Sequence, residues 1–132
     1  MQRLLGKQVL SPFRVERMQA RLRSVDPTLT ALDSHAIYAI RASSDLEGKE
    51  LSIARDLLGA DLDRSTRFAE GLEIWVIPRI GTISPWSSKA TDILRGCGLE
   101  NLERVERGIR HRLHLPETPS PQRCRELVAC LH

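Results

Sequence analysis

The chain has 132 residues, with 20 basic and 17 acidic side chains and a formal net charge of +3. Its 41% hydrophobic and 28% charged residues are typical of a globular domain with one or two modest cores, and they exclude a disordered chain. No apolar run approaches the roughly 20 residues of a membrane helix, and the N-terminus lacks the apolar segment of a secretory signal. These features predict one domain located in the cytoplasm, with no membrane partner.

Helices and strands alternate along the chain, which predicts an α/β (α+β) fold. Ser11 and Pro12 suit the N-cap and the first position of a helix. The segment 72–80 is almost continuously apolar, as expected of a strand in a covered sheet. In chain order the predicted elements are helix 11–24, strand 31–42, helix 47–59, strand 72–80, helix 85–96, strand 102–115 and helix 120–131.

The same helix-start pattern occurs twice, as Leu10-Ser-Pro-Phe13 and as Ile83-Ser-Pro-Trp86, at an offset of 73 residues. The same offset relates the strand around Tyr38 to the strand around His111. We therefore expect two similar βαβα halves, about 1–66 and 67–132, packed across a pseudo-twofold axis. Coincidental alternation in an ordinary α/β chain is the alternative.

Polar side chains are concentrated where strand 72–80 leads into helix 85–96. One hydroxyl group is enough to cap a helix, so the surplus indicates contact with another protein surface or with a substrate. The run is not a phosphate-binding loop of the Gly-x-x-x-x-Gly-Lys-Ser/Thr type, because no second glycine precedes Lys89. Plain capping remains the alternative. The candidate residues for domain docking or substrate proximity are Thr82, Ser84, Ser87, Ser88, Lys89, Thr91 and Asp92.

The sequence favours neither a catalytic residue nor a metal site in this chain. Cys97 is placed at a helix C-terminus, where the helix dipole disfavours a thiolate. His111 and His114 are three residues apart in a predicted strand, so they are expected on opposite faces. Asp61 and Asp63 are interpreted as solvated turn residues. The odd number of cysteines argues against a disulfide framework, and we expect Cys97, Cys124 and Cys130 to be buried as small hydrophobic side chains.

The run from Pro78 to Ile93, Pro-Arg-Ile-Gly-Thr-Ile-Ser-Pro-Trp-Ser-Ser-Lys-Ala-Thr-Asp-Ile, resembles a signature near the N-terminus of the large, single-chain phosphoribosylformylglycinamidine synthases, also called FGAR amidotransferases. The segments 10–14, 36–39 and 102–108 are similar to the same family. Gly96-Cys-Gly-Leu99 departs from the family's Asn-Cys-Gly-Leu at one position.

The resemblance implies an ATP-dependent ligase that converts FGAR to FGAM, with ammonia from glutamine and with ATP and magnesium in the full enzyme. It covers only the first domain, which is similar to a fused dimer of the small bridging subunit used by other bacteria. The chain is then expected to be a fragment of a longer polypeptide, without catalysis or a cofactor of its own. Its expected role is to dock the synthetase and glutaminase domains of that polypeptide and to help ammonia transfer.

Two alternatives to this interpretation remain. Four arginines on helix 11–24 could make the chain a small phosphate- or RNA-binding α/β module, although only 4% of its residues are aromatic and could stack on bases. A solvated helix surface explains the same arginines more simply, so no nucleic-acid partner is expected. The other alternative is a free-standing subunit that assembles with separate catalytic chains.

Overall fold

The computed structural model of the protein describes residues 2–63, 71–79 and 82–131. These residues form a mixed α/β fold with four helices and five strands, so the predicted fold class is confirmed. The elements are β1 (Gln2–Gln8), α1 (Pro12–Val25), β2 (Ala31–Ala42), α2 (Gly48–Leu58), β3 (Asp61–Leu62), β4 (Gly71–Val76), α3 (Pro85–Gly96), β5 (Leu102–His114) and α4 (Pro121–Cys130).

The strands form one antiparallel sheet in the order β3-β1-β2-β5-β4. At one edge, β1 pairs with the short β3, with Leu4 opposite Leu62. Within β2 and β5 the side chains alternate between two faces, as the period of a strand requires. His111 therefore contacts Ser34, whereas His114 contacts Asp33 through the opposite face, which confirms the expectation for the two histidines.

Three of the four helices begin with the same local device, a serine N-cap followed by proline. Ser11 accepts a hydrogen bond from the backbone N–H of Arg14, and Ser84 accepts one from Ser87. These bonds satisfy amide groups that have no partner inside the helix. The predicted starts of α1 and α3 are therefore confirmed.

The chain divides into two compact units, and each unit draws on both the first and the second part of the sequence. The first unit comprises the described residues among 2–7, 36–63 and 76–109, and α2 packs against α3 within it. The second unit comprises the described residues among 8–35, 71–75 and 110–131, and there α1 packs against α4. The N-caps of α1 and α3 do lie 73 residues apart, as do those of α2 and α4. A pseudo-twofold relation between the halves 1–66 and 67–132 nevertheless stays a prediction.

Each unit has its own apolar core. Eight buried side chains form the core of the first unit, namely Leu4, Ile40, Leu46, Ala54, Leu94, Leu99, Leu102 and Val105. Six buried leucines form the core of the second, namely Leu22, Leu29, Leu32, Leu113, Leu115 and Leu127. Burial of these apolar side chains is the main favourable contribution to folding.

Several expectations about individual residues were wrong. Cys97 is exposed and Cys124 and Cys130 are only half-buried, so none is a buried core residue. The Asp63 side chain is only 2% exposed and lies 4.0 Å from Arg3, because β3 brings it against β1. The strand predicted for 72–80 ends at Val76, and Ile80 lies outside the described residues.

Candidate functional site

Two hydroxyl groups of α3 hold the helix on the backbone of β5. The Oγ of Ser87 donates to the carbonyl oxygen of Val105 at 2.6 Å, and the Oγ1 of Thr91 accepts from the N–H of the same residue at 3.1 Å. Ser87 and Thr91 are one helical turn apart, so both reach a single strand residue. Together with Leu94 they are the buried residues of α3.

The hydroxyl groups take the place of a strand partner for Val105. The carbonyl of Val76, the last residue of β4, lies beside Gly108. Val105 is three residues further toward the start of β5, where the strand pairing with β4 has ended. Because a buried backbone group without a partner is costly, the polar pair on α3 has a structural role.

The side chains of Arg104 and Glu106 fix the turn that leads into α3. The guanidinium of Arg104 donates to the carbonyl oxygen of Thr82 at 2.9 Å and to the Oγ of Ser87 at 3.4 Å, and it pairs with the carboxylate of Glu106. Glu106 also accepts a hydrogen bond from the Oγ of Ser84 at 2.8 Å. The N-cap of α3 is therefore itself held by a strand residue.

The electrostatics of this turn weigh against an anion site at the start of α3. Burial raises the pKa of Glu106, but hydrogen bonds from Arg104, Ser84 and the backbone N–H of Arg107 outweigh it and hold that pKa below its usual value. Glu106 is therefore charged at neutral pH. The Glu106 carboxylate accepts a hydrogen bond from the N-cap side chain, and its charge is paired with that of Arg104, so these polar groups are already satisfied inside the domain.

The aromatic residue at the start of α3 is also packed. The ring of Trp86 lies 5.8 Å from that of Tyr38, and the guanidinium carbon of Arg107 lies 4.8 Å from its centroid. These contacts are an aromatic pair and a cation–π interaction. They anchor the first turn of α3 within the first unit.

The remaining candidate residues face solvent. Ser88, Lys89 and Asp92 are exposed. Thr82 is also exposed, but its hydroxyl group is used by a local bond to the carbonyl oxygen of Arg79. Two large apolar side chains accompany them, since Ile83 is 62% and Ile93 is 51% exposed. We call Ile83, Ser88, Lys89, Asp92 and Ile93 the α3 surface.

The seven candidate residues thus lie together on one turn and one helix, but they divide into residues with internal hydrogen bonds and residues exposed to solvent. Ser84, Ser87 and Thr91 make internal contacts, whereas Ser88, Lys89 and Asp92 are available to a partner. Arg104 and Glu106 were missed because they lie on β5, far along the sequence from the turn that they hold. Their alternation on a strand places both on one face, but nothing in the sequence pairs that face with residues 82–87.

The described chain also has a cleft away from α3. A cleft of about 430 Å³ in the second unit is lined by residues that include Asp26, Glu117 and Arg123. Arg123 is already bonded to the carbonyl oxygen of Val25, and the two carboxylates would oppose an anion. Within the described ranges there is no cluster of three metal-binding side chains and no helix that is long and apolar enough to cross a membrane.

A comparison with known protein families identifies the family of this chain. It matches the family described as formylglycinamide ribonucleotide amidotransferase N-terminal over residues 35–132, which is 98 of its 132 residues. The chain belongs to this family. It is therefore the N-terminal region of an FGAM synthase, a ligase of purine biosynthesis. The match includes the whole site of this FGAM synthase domain, from Thr82 to Glu106, and leaves β1 and α1 outside.

Proposed function

We propose that this N-terminal domain docks the synthetase and glutaminase domains of its own polypeptide and helps to hold the ammonia path between them closed. The α3 surface is the part that makes the contact. The full enzyme would convert FGAR to FGAM with glutamine, ATP and magnesium, while this domain contributes geometry. Positioning of this kind accelerates a reaction because it removes the cost of bringing the reacting parts together.

The observation that carries the proposal is the composition of the exposed residues on α3. Ile83 and Ile93 offer apolar area, and Ser88, Lys89 and Asp92 offer exposed polar groups between them in the sequence. Apolar contacts with a polar rim are the usual anatomy of a protein interface. The internal contacts of Ser84, Ser87 and Thr91 account for these three residues without any ligand.

The same contacts favour docking over binding of a free nucleotide or RNA. Glu106 occupies the neighbourhood of the α3 N-cap, and the backbone N–H of Ser87 is already bonded to Ser84. Lys89 is then the main cation of the α3 surface, with Asp92 one turn away. A single lysine with a carboxylate one turn away is a weak basis for phosphate recognition.

The test uses the full-length enzyme with Lys89→Ala and Ile93→Ser, compared with Lys49→Ala on α2 as a matched exposed lysine. We expect the first two variants to lose about five- to tenfold in glutamine-dependent FGAM formation, as for an interface residue of moderate importance. Glutaminase turnover alone and ammonia-dependent synthesis should change much less. If all three variants keep the parental ratio of FGAM formed to glutamine consumed, the α3 surface has no docking role.

A further inference from the structure

Helix α1 carries the positive charge excess of the whole chain. Four arginines and one glutamate, Glu16, give this helix a net charge equal to the +3 of all 132 residues. The other residues therefore balance one another in charge. Such a concentration on one helix creates a local positive potential that attracts a partner of opposite charge.

Only two of the four arginines are free to meet such a partner. Arg21 donates to the carbonyl oxygen of Cys130, and Arg23 donates to the carbonyl oxygens of Leu29 and Thr30. Arg14 and Arg17 are exposed near the start of the helix. Arg17 lies over the ring of Phe13, with its guanidinium carbon 5.7 Å from the ring centroid.

Phe13 is the most exposed large hydrophobic side chain among the described residues, at 65%. Its counterpart in the second helix-start pattern, Trp86, is half-buried and packs on Tyr38 and Arg107. The Ser-Pro-aromatic helix start therefore has a packed aromatic ring in α3 and an exposed one in α1. An exposed aromatic ring flanked by arginines has the composition of an interface hot spot.

We propose that Phe13, Arg14 and Arg17, the α1 surface, dock on an acidic protein surface elsewhere in the same FGAM synthase polypeptide. Phe13 enters an apolar pocket there, and carboxylates at the rim of that pocket pair with the two arginines. This rests on the proposed docking role of the domain and adds a second face to it. The family match begins at residue 35, so the α1 surface lies outside the matched residues.

The charges favour a protein partner over RNA. Nucleic-acid binding commonly neutralises about 6–10 phosphates, whereas the α1 surface offers two free cations beside Glu16. It also offers one exposed ring, where recognition of single strands usually stacks several bases on several rings. A compact acidic pocket matches this small, mixed surface.

The experiment is a photo-cross-link in the full-length enzyme with Phe13→benzoylphenylalanine, and with Glu117→benzoylphenylalanine as an exposed control in the same unit. We expect cross-linking from position 13 to a peptide beyond residue 132 of the same molecule, and a much lower yield from position 117. Adding Arg14→Glu and Arg17→Glu should lower the yield about fivefold or more, while Arg14→Lys and Arg17→Lys should keep most of it. Raising the salt to about 0.5 M should lower it as well.

Three results would overturn the proposal. These are a yield from position 13 no higher than from position 117, a yield unaffected by charge reversal, and salt-sensitive binding of a polyuridine oligonucleotide that the charge reversal abolishes. The proposals for the α1 surface and the α3 surface can be refuted independently of each other. A cross-link from position 13 that persists while Lys89→Ala leaves glutamine coupling unchanged would remove the α3 surface and retain the α1 surface.

Discussion

Replacing Ser87 and Ser88 separately by alanine distinguishes the buried role of α3 from its surface role. Both substitutions make the same chemical change at neighbouring positions of one helix, so the gain in helix propensity is nearly equal. Ser87 is 0% exposed and donates to the carbonyl of Val105, whereas Ser88 is exposed. The difference between the two variants therefore isolates the buried hydrogen bond.

The expected magnitude follows from the partner that is left behind. Ser87→Ala leaves a buried carbonyl without its donor, which costs about 1–3 kcal/mol of the free energy of unfolding. The contact of Ser87 with Arg104 adds little, because the Arg104 side chain is 34% exposed and can turn to water. Ser88→Ala should stay within about 0.5 kcal/mol of the parent. For a chain of this size, 1 kcal/mol corresponds to a shift in Tm of roughly 3–6 °C.

Urea denaturation followed by the fluorescence of Trp86 measures the effect in the unit that contains it. A Trp75→Phe background removes the other tryptophan, which belongs to the second unit. Thr91→Val should have a cost similar to that of Ser87→Ala, because it deprives the N–H of Val105 of its acceptor. Free energies of unfolding within about 0.5 kcal/mol of each other for the Ser87 and Ser88 variants would refute this account of the site.

Two further predictions concern acid stability and backbone conformation. Hydrogen bonds hold the pKa of Glu106 below its usual 4.5, so its contribution to stability is complete above that pH and is lost as the pH falls through the lower folded value. Glu106→Gln should therefore flatten the pH dependence of the free energy of unfolding below about pH 4.5. A pH profile parallel to the parent's would contradict this. Gly71 has φ +143°, and an added Cβ would lie 2.0 Å from the carbonyl oxygen of Leu113, so Gly71→Ala should cost at least about 1–3 kcal/mol. Gly96→Ala, which meets nothing within 4 Å at the end of α3, should be neutral or stabilising by thermal denaturation, and equal Tm values for the two would argue against the strain.

Local signals predicted the helices and the long strands well. Ser11, Ser84 and the prolines that follow them fix the starts of α1 and α3 through bonds within four residues, so the sequence alone contains the cause. No bounds were predicted for β1, which only the expected βαβα order implies, because Gln2–Gln8 mixes polar and apolar residues without a clear alternation. It becomes a strand only because β2 and β3 flank it in the sheet.

The candidate site was predicted as a cluster, but its division into buried and exposed members was not. Ile93 and Cys97 of α3 are exposed, and the buried stripe of the helix is Ser87, Thr91 and Leu94. Their spacing of four and three residues is a helical signal, but two of the three are polar. The two polar residues are buried because their hydroxyl groups bond the backbone of Val105. This tertiary contact cannot be predicted from helical periodicity.

The division of β2 and β5 between two cores has a consequence for how the chain reaches its native state. Residues 31–35 of β2 belong to one unit and residues 36–42 to the other, and β5 is shared in the same way between 102–109 and 110–114. Neither core can be completed from the first sixty residues alone, since each needs β5. Loop closure over such distances is entropically costly and slows folding. During synthesis on the ribosome, we therefore expect the leucines of α1 and α2 to stay exposed until β5 has emerged.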